Sequence, residues 1–157
     1  MNRNHILVLL CLAPALSITA LPEPLGPCSR RSGLVISEIM YHPLKPPAPL
    51  KEASYIEIYN SSPFSEDLSG FWIAGSVTKR FPDGTILPAH AFLVVAQNTN
   101  TMRTLYGLTN VVGPFTNSLP NSEGLPNSEG LVRLLNRAGV VLLSVKYEDS
   151  PPWPVAA

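Results

Sequence analysis

The sequence predicts an all-β domain, and three observations support this class. Short runs rich in β-branched and aromatic residues recur along the chain, a composition typical of strands. Clusters of proline, glycine, asparagine and serine separate these runs and favour turns. Only one stretch has a helical pattern. With 157 residues and 45% hydrophobic content, the chain can form one domain with a hydrophobic core.

The charge content argues against one class of partner. Charged residues make up 14% of the chain, against about 25% in typical soluble domains. The formal net charge is zero, and Arg30-Arg31 and Lys79-Arg80 are the only adjacent basic pairs. Because a nucleic-acid-binding surface needs concentrated positive charge, we expect no nucleic acid partner.

Residues 1–20 have the pattern of a secretory signal peptide. Arg3 precedes the apolar run Ile6–Leu16, and mostly small residues follow up to Ala20; this order is typical of export signals. An uncleaved membrane anchor is the alternative. That run is shorter than the roughly 20 apolar residues a span requires, and it contains Pro14. We therefore expect cleavage after Ala20, a secreted or cell-envelope location, and no membrane span after cleavage.

Residues 21–32 are predicted to be a proline-rich linker, because they hold three prolines and no periodicity. Cleavage after Ala20 would leave Cys28 as the sole cysteine, so an internal disulfide cannot form. Cys28 is either an intermolecular bridge or reactive thiol, or a passive residue of a flexible leader. The surrounding prolines favour the passive role.

Two strands are predicted at the start of the domain, Leu34–Met40 and Tyr55–Tyr59, and each ends in turn-forming residues. In the second strand Ile56 and Ile58 share one face, while Glu57 points the other way. This two-residue period is typical of a half-buried strand, with one side in the core and the other in water.

The proline-dense loop between these strands, Pro43–Pro49, favours extended conformations and lacks backbone donors. We expect an exposed spacer, and a ligand for proline-binding domains is the alternative. On the strands themselves, Glu38 and Glu57 could be read as an acid/base pair. Solvent-facing charges that keep strand edges from aggregating are the better explanation.

Asp67–Gly70 predicts a turn, because glycine tolerates a positive φ, and a strand follows it. Phe71 and Ile73 share a face of this strand opposite Trp72. Trp72 could stack on a sugar ring, or it could be a large residue of the core or its rim, which we favour.

Pro82–Thr85 is predicted to be the turn of a short hairpin with arms Lys79–Phe81 and Ile86-Leu87. Phe92–Ala96 is apolar at every position, which suits a central strand covered on both faces. Apolar residues at 102, 105 and 106, followed by a glycine, then predict at most one short helix near residues 101–107.

A tandem repeat follows: Leu119–Gly124 and Leu125–Gly130 are identical in sequence. We expect the surplus unit in a surface loop, since doubling a loop costs only about 0.6 kcal/mol. A calcium site is the alternative, but the aspartate-rich spacing of calcium loops is absent. A second hairpin is predicted next, with arms Leu131–Leu135 and Val140–Val145 around Asn136–Gly139.

Several of these segments follow the order of a known family. They are Ile36–Pro43, Tyr55–Asn60, Asp67–Ile73, Phe81–Thr85, Pro88–Ala96 and Pro151–Pro154. Together they resemble a lamin tail domain and are similar, more narrowly, to the version found in bacterial secreted and surface proteins. The resemblance implies an immunoglobulin-like antiparallel β-sandwich over residues 33–157, used for binding or display, with no family catalytic residues to carry over.

The resemblance also bears on the C-terminus. In the family, the proline-tryptophan loop leads into at least one further strand, whereas this sequence stops at Ala157. We therefore expect a truncated domain that is missing its last strand or strands. Because an exposed edge can pair with another chain, edge-strand pairing is an expected contact.

No catalytic or cofactor-binding pattern is present in the sequence. Neither His42 nor His90 has a second His, Cys or acidic residue at ligand spacing, so we expect no metal. The chain contains no Gly-x-Ser-x-Gly elbow and no Gly-x-Gly-x-x-Gly loop. We predict no cofactor and no enzymatic activity.

Two functions fit these observations. The first is a non-catalytic extracellular binding or display module that contacts a protein, a polysaccharide or the cell surface. The second is an N-terminal accessory domain of an exported enzyme, of hydrolase, nuclease or kinase-like type, whose catalytic part lies beyond Ala157. Aromatic residues beside turns are common contact points, so the predicted binding residues are Tyr41, His42, Tyr59, Asn60 and Trp72.

Overall fold

The computed structural model describes residues 25–48, 50, 52–118 and 124–151. The predicted signal peptide, the start of the predicted linker, the first unit of the repeat up to residue 123 and residues 152–157 lie outside the described residues. No helix within the described part of the chain has the length and apolar character needed to cross a membrane.

The described residues form short strands and one helix. In chain order they are β1 (Leu34–Met40), β2 (Tyr55–Asn60), β3 (Glu66–Asp67), β4 (Trp72–Gly75), β5 (Val77–Arg80), β6 (Ile86–Leu87), β7 (Phe92–Ala96), α1 (Thr99–Tyr106), β8 (Val111–Val112), β9 (Thr116–Asn117), β10 (Glu129–Leu135) and β11 (Val141–Glu148).

The strands form two main sheets and a short ribbon. The first sheet has the order β1-β2-β7-β8, the second has the order β11-β10-β4-β5-β9, and β3 pairs with β6. All neighbours are antiparallel except β7 and β8, which are parallel. The molecule is therefore an immunoglobulin-like β-sandwich, as predicted.

The core lies between the two sheets and follows from the alternation of side chains along each strand. The predicted pattern of β2 is confirmed, because Ile56 and Ile58 are fully buried while Glu57 points outward. Ile73 of β4 and Val132 and Leu134 of β10 supply the facing layer. Close packing of these branched side chains holds the two sheets together.

The segment before β1 contacts both sheets. The backbone oxygen of Gly26 accepts a hydrogen bond from Ser144 N at 3.1 Å, and that of Pro27 accepts one from Ile36 N at 2.8 Å. Ser144 lies on β11 and Ile36 on β1. Part of the stretch predicted as linker over residues 21–32 is thus joined to the edges of the sandwich.

Helix α1 confirms the predicted short helix and begins slightly earlier than expected. Asn98 caps it, since its side chain accepts a hydrogen bond from Thr101 N at 3.0 Å, and Gly107 ends it with a φ of 66°. Met102 packs against Val94 and Ala96. The helix therefore covers part of the outer face of the first sheet.

Two sequence predictions require correction. Ile86-Leu87 does not form a hairpin with Lys79–Phe81, because it pairs with Glu66–Asp67 while β5 pairs with β4 and β9. Phe92–Ala96 is not covered on both faces along its whole length. Helix α1 covers the outer side of Val94 and Ala96 but leaves Phe92 49% exposed.

The second repeat unit belongs to the fold. Leu125 is only 1% exposed and lies in the main core. The backbone oxygen of Pro126 accepts a hydrogen bond from the Tyr147 hydroxyl at 3.0 Å, and the last two residues of the unit begin β10. Surplus length is therefore expected in the preceding unit, most of which lies outside the described residues.

Candidate functional site

The outer face of the first sheet carries a pair of contacting, tilted aromatic rings. Tyr59 on β2 and Phe92 on β7 are register partners. Because Ile58 and Leu93 point into the core, the alternation of side chains places both rings outside. Their centroids lie 4.6 Å apart and their planes are inclined by 30°. Such ring pairs contribute about 0.5–1.5 kcal/mol beyond the area they bury.

His90 extends this aromatic pair toward the end of the sheet. It lies in the turn that precedes β7, with a φ of 57°, and its side chain is exposed. Its Nδ1 atom is 3.4 Å from the hydroxyl oxygen of Tyr59. The turn thus places an imidazole at the polar edge of the tyrosine ring.

Two carboxylates lie directly opposite each other on the same sheet. A β-bulge between Ile36 and Glu38 makes Glu38 the register partner of Glu57. The Tyr55 hydroxyl donates to Glu38 Oε1 at 2.8 Å, and the Ser37 hydroxyl donates to Glu57 Oε1 at 2.8 Å. Like charges directly opposite each other on neighbouring strands are destabilising.

Among the residues that the structure describes, no Lys, Arg or His side chain forms an ion pair with either of these carboxylates. Within the residues that the structure describes, the ion pairs found are those of Lys146 with Glu129 and Glu148. Burial raises the pKa of the Tyr55 phenol well above its ordinary value. Its hydrogen bond to Glu38 and the negative charge nearby raise that pKa further. Tyr55 therefore remains a hydrogen-bond donor to Glu38 at neutral pH.

These side chains define one surface, which we call the aromatic face: Tyr55, Tyr59, His90 and Phe92 together with Glu38 and Glu57. It combines an exposed Phe92 ring and half-buried tyrosine rings with negative charge that no described cation neutralises. Such a surface can bind a cationic or amphipathic group through cation–π contacts and charge-assisted hydrogen bonds.

The structure places Tyr41 away from this face. The Tyr41 ring stacks on Tyr147 with a centroid distance of 4.8 Å, and its hydroxyl donates to the backbone oxygen of Glu148 at 3.4 Å. It is partly buried against the main core. His42 follows it in the exposed loop after β1. These two residues lie near the Tyr55 end of β2, opposite the Tyr59 end.

Asn60 is not a surface contact residue, which corrects the sequence prediction. Its side chain is fully buried. Its Nδ2 atom donates to the backbone oxygens of Phe64, Leu87 and Pro88 at 2.7, 3.1 and 3.0 Å, and its Oδ1 accepts from Ser62 N at 3.0 Å. Asn60 therefore joins the loop after β2 to the end of β6 and is not accessible to a partner.

Trp72 lies on the outer face of the second sheet, on the other side of the sandwich from Tyr59. Its register partner Arg80 places its guanidinium carbon 5.1 Å from the ring centroid of Trp72. The indole is partly exposed. The five predicted residues thus occupy separate places, and only Tyr59 belongs to the aromatic face.

The comparison with family models decides the classification. A model described as Lamin Tail Domain matches residues 27–149. The chain belongs to the lamin tail domain family. This confirms the resemblance to a lamin tail domain drawn from the sequence motifs and agrees with the two-sheet architecture. A comparison with curated proteins gives no match to this lamin tail domain.

Sequence reasoning did not select Phe92 or the paired glutamates as binding residues of this lamin tail domain. Phe92 begins a run that is apolar at every position, so periodicity gave no sign that the first residue is exposed. The sequence pattern predicts Glu38 and Glu57 as solvent-facing charges in preference to an acid/base pair. Their alternation to the outer face was visible, but their direct opposition depends on the bulge in β1.

The other surface features of this lamin tail domain are weaker candidates for a binding site. A shallow cavity of about 370 Å³ lies at one end of the sandwich, lined in part by Arg30, Arg31, Glu66, Phe71 and Asn136. Among the described residues, no three His, Cys, Asp or Glu side chains are grouped closely enough to hold a metal ion. The aromatic face is therefore the candidate binding site.

Proposed function

We propose that this lamin tail domain is a non-catalytic extracellular binding module, and that its aromatic face binds a protein partner through exposed arginine side chains. The observation that carries the proposal is the Tyr59–Phe92 ring pair, in which Phe92 is exposed and Tyr59 is half-buried, beside two carboxylates, Glu38 and Glu57, that have hydroxyl donors.

Arginine fits this surface better than other common side chains. Its planar guanidinium can stack on an aromatic ring and also bond a carboxylate through two parallel N–H donors. A bound guanidinium would relieve the repulsion between Glu38 and Glu57. A neutral sugar could also stack on the rings but would leave that repulsion in place. The protein partner is therefore favoured over the polysaccharide.

The extracellular location is supported by the pattern of residues 1–20, an apolar run after a single basic residue. N-terminal peptide mapping of material exported from expressing cells tests it. We expect a mature chain that starts at Leu21. Recovery of the chain only inside the cells, with residues 1–20 intact, would contradict an extracellular role.

Biolayer interferometry can test the binding surface with two immobilised peptides, Ac-Gly-Arg-Thr-Arg-Gly and its lysine counterpart. Soluble cellohexaose serves as the polysaccharide probe. We expect the arginine peptide to bind more tightly than the lysine peptide, and the affinity to fall as salt rises. The double variant Tyr59→Ala/Phe92→Ala should bind at least tenfold more weakly.

Two further variants separate binding from folding. Glu57→Gln keeps the size of the side chain and should weaken binding by removing one charge. Ile86→Ala is the matched control, because Ile86 is an equally exposed apolar residue, 50% accessible, on the separate ribbon. The proposal would be overturned if Tyr59→Ala/Phe92→Ala and Glu57→Gln bound the arginine peptide as tightly as the wild type and the Ile86→Ala control do. Binding of cellohexaose in place of the peptide would also overturn it.

A further inference from the structure

We propose that the partner of the aromatic face is a second copy of this chain, which presents the outer face of its second sheet. This inference rests on the proposed function and names the partner of the same site. The surface that the second copy presents is called here the basic face, and it consists of Trp72, Arg80 and Arg133.

The alternation of side chains places these three residues on one side of the second sheet. Ile73 and Leu134 are register partners and are fully buried, so their chain neighbours Trp72 and Arg133 point outward. Arg80 is paired with Trp72, and Arg133 is paired with Ala74. Arg80 and Arg133 are both exposed.

The arginines of the basic face are available for an external partner. Throughout residues 25–48, 50, 52–118 and 124–151, the ion pairs are those of Lys146, so neither Arg80 nor Arg133 has a carboxylate partner there. The guanidinium of Arg80 rests over Trp72, which limits its rotamer freedom. Less conformational entropy is then lost when it binds a carboxylate.

The basic and aromatic faces are complementary in charge and chemistry. The aromatic face carries the carboxylates of Glu38 and Glu57, and the basic face carries two guanidinium groups on a chain whose formal net charge is zero. Strand β4 lies between β5 and β10, and the β4 partners of Arg80 and Arg133 are two residues apart, so about 12 Å separates the backbones of the two arginines. Ala74, with its small side chain, lies opposite Arg133 and next to Trp72 on the same face, and it leaves room for an opposing aromatic ring beside Arg133.

One molecule cannot join its own two faces, because they lie on opposite sides of the sandwich. Their pairing is therefore head-to-tail between copies, and a contact of this kind can repeat into an open chain of molecules. Association should rise with protein concentration and fall with salt, because exposed charges contribute to it.

Sedimentation velocity of the mature full chain at low and high salt tests this directly. We expect the wild type to associate reversibly at low salt. Glu57→Arg should remove association through the aromatic face, and Arg133→Glu should remove it through the basic face. Each variant alone should sediment as a monomer, because its self-association constant should be at least tenfold lower than that of the wild type.

An equimolar mixture of Glu57→Arg and Arg133→Glu is the decisive experiment, because it tests whether the one intact face of each variant can pair with that of the other. The intact basic face of Glu57→Arg can bind the intact aromatic face of Arg133→Glu, so the mixture should regain association. Arg30→Glu is the control: it reverses the same charge as Arg133→Glu, but Arg30 belongs to neither face. This variant should associate like the wild type. A monomeric wild type at low salt, single variants that assemble like the wild type, or a mixture that stays monomeric would overturn the inference.

The same variants distinguish this inference from the proposed function. Arg133→Glu retains its aromatic face and should bind the immobilised arginine peptide normally. If the wild type binds that peptide but does not self-associate, the second-copy inference fails and the proposed function stands. If neither binding nor association occurs, both fail.

Discussion

The ring of Tyr41 stacks on the ring of Tyr147 with centroids 4.8 Å apart, which joins the end of β1 in the first sheet to β11 in the second. The Tyr147 hydroxyl donates to the backbone oxygen of Pro126, so a single fully buried side chain also fixes the second repeat unit. This end of the sandwich is held by Tyr147, and Tyr41 contributes to packing.

Stability should fall at alkaline pH because of Tyr147. Burial raises the pKa of its phenol, and the neighbouring Tyr41 adds to that rise. In the unfolded chain a tyrosine loses its proton near pH 10, so above that pH the unfolded state binds fewer protons than the folded state. The free energy of unfolding then decreases as pH rises. Urea denaturation between pH 8 and 11 measures this decrease, which should be smaller in Tyr147→Phe. An identical pH dependence in both proteins would rule out this origin.

Gly130→Ala should destabilise the domain by about 1–3 kcal/mol, the usual cost of overpacking. Gly130 pairs with Tyr147, and an added Cβ would overlap the phenol ring and its hydroxyl. Thermal or urea denaturation measures the loss. Gly26→Ala is the control, since the nearest atom to its added Cβ is 3.9 Å away.

Tyr147→Phe should partly compensate for Gly130→Ala, because it removes the closest overlapping atom. The two substitutions should therefore be non-additive in a double-mutant cycle. Strict additivity would show that the ring does not limit the space at Gly130.

Asn60→Ala should lower the free energy of unfolding by roughly 1–3 kcal/mol, because it leaves buried carbonyl oxygens without donors. Asn60→Asp should be at least as harmful at neutral pH, since a carboxylate cannot donate to those oxygens. Asn110→Ala is the matched control, because the Asn110 amide also donates to a backbone oxygen, that of Phe92, but at an exposed site. Equal losses in the Asn60→Ala and Asn110→Ala variants would contradict the assigned role of Asn60.

Asn60 also shows where sequence reasoning reaches its limit. An asparagine between a strand and a turn looks the same in sequence whether its amide bonds three backbone oxygens or an external ligand. The alternation of Ile56, Glu57 and Ile58 was informative because it depends on neighbours along the chain. The partners of Asn60 lie up to 28 residues away, and only the folded chain reveals them.

Contacts between residues far apart in the sequence also explain why the aromatic face was only partly predicted. Tyr59 was predicted as a contact residue, but its partner Phe92 lies on another strand and joins it only through sheet pairing. The two-residue strands β3, β8 and β9 were not predicted, because so short a segment has no measurable period, whereas the equally short Ile86-Leu87 was identified by the turn before it. The class of fold follows from local patterns, whereas the composition of the face depends on register.

Deletion of residues 119–123 should leave stability within about 1 kcal/mol of the wild type, since loop length has only a weak effect on closure entropy. The side chain of Asn117 already bonds the backbone oxygen of Gly124, so Ser118 can bridge the two remaining ends. Leu125→Ala is the contrasting variant and should cost about 2–5 kcal/mol. Urea denaturation measures both changes. A loss above about 2 kcal/mol on deletion would assign a structural role to the first repeat unit.

The most direct test of the binding account is a residue-by-residue NMR titration of the mature chain with the arginine peptide. The account predicts that the largest amide shifts map to Tyr55, Glu57, Tyr59 and Phe92, with little change at the cavity beside Arg30 and Asn136. Shifts concentrated at that cavity, or no shifts at saturating peptide, would contradict it.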